Sequence, residues 1–214
     1  MLDIGKLSIS GAKSDGRLIW LAVPEERLVA CHDPLTRATQ EILRYEFAVW
    51  DVCPAPEGLW MMTAGGRLGR QLVLWSAAEG REIRKFNCPD GAGAGVTLFM
   101  ERLWLTHRHN RKLFCLDPEN GKLIWTMRTE RESFSPASYA NELWLVEADL
   151  GPLGHWNTSS RGSYFFSRYD PAREAILERR AQPFIPRCLA VDATRFWYSR
   201  EGESGLFSAE KNPR

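Results

Sequence analysis

Four histidines, His32, His107, His109 and His155, are the side chains of this sequence best suited to proton transfer or metal ligation near neutral pH. His107 and His109 are spaced to share a face only if a strand runs through both. Arg108, Arg111 and Lys112 stand beside them and would repel a cation, so the segment reads as a solvated hairpin tip and no metal site is expected. His32 lies where a packed, buried residue is expected. No serine sits in a nucleophile elbow. Gly91-Ala-Gly-Ala-Gly95 follows Asp90, but an apolar strand succeeds it where a phosphate cradle needs a helix. It reads as a flexible connection. The five cysteines include no Cys-x-x-Cys pair, and Cys31 and Cys115 fall inside apolar strands, as structural thiols do.

The elements that position these residues follow from an internal repeat. Trp20, Trp60, Trp104, Trp144 and Trp197 are separated by 40, 44, 40 and 53 residues. A second landmark, Asp33, Ser76, Asp117, Asp170 and Glu210, steps by 43, 41, 53 and 40. Two landmarks in phase at this period define four-stranded propeller blades. The clearest copy gives strands over Gly95 to Met100, Arg102 to Thr106, Lys112 to Leu116 and Lys122 to Met127. Leu103 and Leu105 face one way and Trp104 the other, so both faces are apolar, as in a sheet covered on both sides. Asp117-Pro118-Glu119-Asn120-Gly121 supplies the turn chemistry. Asp170-Pro171 occupies the same turn position, so the charged stretch up to Arg180 reads as a hairpin. The long step reflects an insertion between Glu147 and Tyr164 that is rich in Gly, Pro, Asn and Ser.

Residues 1–214 are therefore expected to form one all-β domain, a β-propeller of about five four-stranded blades. Blade five lacks an obvious fourth strand after Glu210, and Met1 to Ile4 are expected to supply it and close the ring. Without that pairing the last blade keeps an open edge that a second chain could cover.

Cys115-x-Asp117-x-x-x-Gly121-Lys122-x-x-Trp125 resembles the repeat of quinoprotein-type (PQQ-like) propellers, Ala-x-Asp-x-x-Thr-Gly-Lys-x-x-Trp. Cys replaces Ala here, and Asn precedes the Gly. Blade one keeps Asp33-Pro34, blade two Ser76 and Gly80-Arg81, and blade four Asp170-Pro171 without Gly-Lys. The resemblance implies a fold. It does not carry over a quinone site, because the sequence has no vicinal cysteine pair and no leader, and no cofactor is expected. Virginiamycin B lyase and the propeller-type glutaminyl cyclases make small propellers known as enzymes, with their working residues at one end of the central channel; a lyase of the first type would imply a His base beside metal-binding carboxylates, for which His107 or His155 with Glu147 is the one candidate group here.

The loops joining second and third strands share one end of a propeller with the blade-to-blade connections. That end gathers Arg67, Arg70, His107, Arg108, His109, Arg111 and Lys112, with His155, Trp156 and Arg161 in the insertion; Glu25, Glu26, Glu201 and Glu203 occupy the matching loops of blades one and five. The formal net charge is only +1, so no whole-molecule field favours nucleic acid or an anionic membrane. The reading that follows is a non-catalytic scaffold in a cytoplasmic assembly, meeting a protein partner through the insertion and loop face or through the open last blade. A small propeller enzyme of the lyase or cyclase type is the second reading, and a nucleic-acid-binding subunit using the basic loops the third. The apolar run Leu18 to Val23 is far short of a membrane span.

Overall fold

A computed structural model describes residues 2–65, 69–149 and 162–212. Five antiparallel sheets surround a central axis. Blade one is β1 (Gly11–Ser14), β2 (Ile19–Val23), β3 (Leu28–His32) and β4 (Thr39–Arg44). Blade two is β5 (Val49–Ala55), β6 (Gly58–Ala64), β7 (Arg70–Ser76) and β8 (Arg81–Asn87). Blade three is β9 (Gly95–Phe99), β10 (Arg102–His107), β11 (Lys112–Leu116) and β12 (Leu123–Arg128). Blade four is β13 (Glu132–Tyr139), β14 (Glu142–Asp149), β15 (Ser163–Asp170) and β16 (Ala175–Gln182). Blade five has β17 (Pro186–Val191), β18 (Arg195–Arg200) and β19 (Phe207–Glu210). The innermost strands β1, β5, β9, β13 and β17 pack side by side around the axis, with β17 against β1 closing the ring.

The repeated tryptophans explain why the blades stay together. Each one points from the second strand of its blade into the next blade around the ring. Trp60 joins Val96, Leu103 and Leu105 of blade three. Trp104 joins Leu143 and Leu145 of blade four. Trp144 meets Phe196 of blade five at 4.8 Å between ring centroids. Trp197 packs with Ile19 and Leu21 of blade one, and Trp20 with Val49 and Val52 of blade two. Trp60, Trp104 and Trp144 are buried, each worth about 3–5 kcal/mol, while Trp20 and Trp197 are partly buried. The second landmark is a turn: Asp33, Asp117 and Asp170 each accept a backbone N–H from two residues on, at 2.8, 2.9 and 2.9 Å. Gly121, at φ +69, completes the blade-three turn.

The start of the chain departs from expectation. Ile4–Lys6 form a 3-10 turn capped by the Asp3 carboxylate, and the N–H of Leu2 donates to Thr39 O on the outermost strand of blade one. Residues 2–4 therefore do not pair with blade five, which has three strands among the described residues. The buried side chains of Leu7 and Ile9 instead tie the segment before β1 to blade five. Leu7 O accepts the N–H of Gly205, and Ile9 O accepts the Ser199 hydroxyl at 2.7 Å. Among the described residues no helix is long and apolar enough to cross a membrane.

Candidate functional site

A cavity of about 590 Å³ opens at the end of the axis that carries the β2–β3-type loops and the blade connections. Its inner wall comes from one residue per blade: Ser10, Trp50, Ala94, Phe134 and Arg187. Each lies ten residues before the repeat tryptophan of its blade. The ladder slips beside three of them, between Val49 and Asp51, between Phe134 and Ala137, and between Pro186 and Cys188. Trp50 and Arg187 are the extra residues of two such bulges, which lift them out of the sheet pairing and toward the mouth.

One residue further along every innermost strand lie Gly11, Asp51, Gly95, Ser135 and Cys188, all buried. This layer closes the floor. The Asp51 carboxylate receives Lys13 Nζ at 2.9 and 2.8 Å and the N–H groups of Val96 and Val52 at 2.9 and 3.0 Å. Burial pushes the Asp51 carboxyl upward, and Lys13 with the two N–H donors opposes that shift. Glycine flanks it because a Cβ on Gly95 would stand 2.9 Å from Asp51 Oδ2 and 2.8 Å from Ser135 Cα. Ser135, at φ +49, turns its hydroxyl to accept the N–H of Leu189 at 2.8 Å. Below the ion pair a second cavity of about 740 Å³, edged by Lys13, Trp20, Cys53 and Tyr139, opens at the opposite end.

Strand ends and loops bring the polar groups to the upper cavity. Arg70, at the start of β7, donates to Gly93 O and stacks its guanidinium 4.8 Å from the Trp50 ring. Arg108, just past β10, pairs with Glu132 at 3.0 Å and covers the Phe134 ring at 5.0 Å. Arg187 donates to Ser8 Oγ at 3.1 Å. His107, at the end of β10, is 7% exposed, and burial lowers its pKa despite the attraction of Asp90. Its ring is therefore neutral at physiological pH. Both ring nitrogens are 3.4 Å from Asn110, long for a hydrogen bond. Glu201 and His109 complete the rim.

The residues singled out in the sequence thus separate. Arg70, His107, Arg108 and His109 line the cavity. Arg111 and Lys112 share the same hairpin but turn away from it, Arg111 toward Glu130 O and Lys112 toward Asp90 at 2.8 Å. Arg67, His155, Trp156 and Arg161 lie outside the described residues, as does nearly all of the insertion. Glu147 does not meet His107: it is fully buried on β14, bonded to Ser167 at 2.6 Å and Arg179 at 3.0 Å. Among the described residues no three His, Cys, Asp or Glu side chains cluster as metal ligands. The cysteines are all buried, and burial raises the thiol pKa of Cys53 and Cys188 to about 11 and of Cys88 to about 12. Trp50, Phe134 and Arg187 are wall residues not anticipated from the sequence. The glycine run supplies wall as well, through Ala92, Gly93 and Ala94.

No family model matches this chain, and no curated protein does. Solved structures do match in shape. A glutaminyl cyclase from Myxococcus xanthus superposes with a TM-score of 0.67 at 12% identity, over 97% of this chain and 93% of that one. A streptogramin B lyase gives 0.53 at 12% identity, over 98% and 96%. The hydrazine synthase of Kuenenia stuttgartiensis gives 0.53 at 13% identity, over 93% of this chain and 56% of that one. At these identities the likeness establishes the PQQ-like propeller fold. It also corrects the reading of the chain as a non-catalytic scaffold, since the two structures matched over more than nine tenths of their length are enzymes by name. That reading had rested on the repeat, on the absence of a recognisable catalytic motif and on the blade-four insertion, whereas the upper cavity gathers His107 with Arg70, Arg108 and Arg187.

Proposed function

We propose that this chain is a small propeller enzyme whose substrate binds in the cup at the mouth of the channel. The observation that carries the reading is the convergence of a neutral, buried imidazole with three guanidiniums on one closed-bottomed cavity. Neutral His107 accepts a proton, and Arg70, Arg108 and Arg187 stabilise the negative charge that develops on the substrate as the proton leaves. The weak contacts to Asn110 exchange readily for a substrate, as catalytic hydrogen bonds commonly do on binding. In a lyase reaction the proton moves from a substrate carbon to His107. The pair left behind forms the new double bond, and the leaving group departs with its own bonding pair and takes a proton from water. The resemblance to a streptogramin B lyase supports this class. A cyclase reaction, in which the same imidazole takes the proton of an attacking amine, is favoured by the higher TM-score of the glutaminyl cyclase.

The test is turnover by purified protein of three substrates: a glutaminyl peptide followed by ammonia release, streptogramin B followed by ring opening, and hydroxy- or amino-dicarboxylates followed by the absorbance of a new conjugated double bond. At least one is expected to react, with His107→Ala lowering kcat by roughly 100-fold or more. Inertness toward the whole panel, or an undiminished His107→Ala variant, would sink the reading.

A further inference from the structure

We infer that the cup recognises a small dicarboxylate, held at its two ends by Arg70 from blade two and Arg187 from blade five. The inference rests on the enzymatic reading only in calling that ligand a substrate. Each guanidinium is fixed to the protein through one nitrogen. Arg70 uses Nη1, which donates to Gly93 O and sits 3.8 Å from Met62 Sδ. Arg187 also uses Nη1, which donates to Ser8 Oγ. In both, the Nε–Nη2 edge has no protein partner among the described residues, and this is an edge that meets a carboxylate through two parallel hydrogen bonds.

Neighbouring arginines are differently placed. Arg108 pairs with Glu132, Arg200 with Glu203, and Arg131 with Asp149 and Glu130. Arg70 and Arg187 have no ion-pair partner among the described residues, although both are partly buried in the same cavity. Guanidiniums taken partly out of water without a counter-ion are costly, and an incoming anion removes that cost. Stacking on Trp50 keeps the Arg70 fork in one plane, so little rotamer freedom is lost on binding.

Two forks ask for two anionic heads. The innermost strands of blades two and five each pack against blade one and not against each other, so the two forks reach the cavity from separate blades. A single carboxylate satisfies one fork, whereas a diacid satisfies both. A cavity of about 590 Å³ is large enough to hold a whole small metabolite. Glu201 on the rim disfavours further negative charge beyond the two heads.

Calorimetric titration of the intact protein at low ionic strength tests this, using malonate, succinate, glutarate and adipate, their monomethyl esters, and inorganic phosphate. Saturable binding of at least one diacid is expected, weakened about tenfold or more by monoesterification, by Arg70→Gln and by Arg187→Gln. Arg70→Lys and Arg187→Lys keep the charge but lose the fork, and should recover only a minor part of the affinity. They carry the comparison if a glutamine variant fails to fold. Diacid binding that persists in His107→Ala while no panel substrate is turned over would keep the recognition and refute the enzyme. Absence of diacid binding, monoesters that bind as tightly, phosphate that binds more tightly than any diacid, or indifference to both arginine positions would overturn the inference.

Discussion

Two successive layers of the channel, one residue apart in every blade, are built in opposite ways. The upper layer, Ser10, Trp50, Ala94, Phe134 and Arg187, differs in size, charge and aromaticity from blade to blade. The lower layer, Gly11, Asp51, Gly95, Ser135 and Cys188, contains one charged side chain surrounded by small residues. Adjacent positions on the same strands therefore do different work. Bulges free Trp50 and Arg187 from the ladder, and Ser10 and Ala94 precede their strands, so these positions vary without disturbing the ring. The lower residues fill the axis, where every atom has a neighbour across it.

That contrast can be broken most severely at Asp51. Asp51→Ala strands Lys13 in the axis, 2% exposed and left with only Ala12 O, and should cost about 3–5 kcal/mol by chemical denaturation. Replacing both partners, with Lys13→Met and Asp51→Leu, should restore much of the loss. A loss under about 1 kcal/mol for Asp51→Ala would mean that the pair does not hold the floor. The next effect compares neighbours. Gly95→Ala meets Ser135 and Pro136 and should destabilise by about 1–3 kcal/mol. Ala94→Ser, one residue away on the wall, should stay within about 0.5 kcal/mol.

A smaller effect appears with pH. Burial lowers the pKa of both His32 and His107, so the unfolded chain binds more protons than the folded one just below the ordinary value of 6.5. Stability is thus fully present above that value and is lost as pH falls through 6.5 toward the folded-state pKa. A thermal midpoint that is flat across this window would contradict the assignment, and His107→Gln should reduce the slope. The smallest expected change is Glu201→Gln, which removes a like charge from the rim and should tighten diacid binding about twofold, as read by titration.

The architecture was legible because its determinants are local and repeated. Trp104 and its counterparts had to face a neighbouring blade, and Asp117 had to make a turn. The blade-three strand boundaries expected from that pattern agree with those observed to within one residue. The site was legible in part. Loop placement put Arg70, His107, Arg108 and His109 at the end where the cavity opens. It did not separate Arg108 from Arg111, because the reversal at the hairpin tip, where Arg111 adopts φ +50, sends one inward and the other outward. Glu147, a candidate carboxylate only under the lyase alternative, lies elsewhere because Ser167 and Arg179 hold it buried on β14, which alternation along the strand does not reveal. Trp50 and Arg187 were hidden because a period does not announce a bulge. Yet their spacing of ten from each repeat tryptophan was present in the sequence, and it marks the wall once one member is known. The N-terminal segment failed as a strand because the Asp3 cap and the pairing of Leu7 with Gly205 favour a turn that lies across blade five.

The Lys13–Asp51 pair also decides how traffic moves. A vessel sealed at its base has a single doorway, so any ligand must leave by the route it entered, and the water it displaces must escape past it. The lower chamber, edged by Trp20 and Tyr139, opens at the other end of the axis, on the far side of that pair. Occupancy of one end of the molecule is thereby insulated from the other, and a molecule lingering in the cup blocks the next arrival.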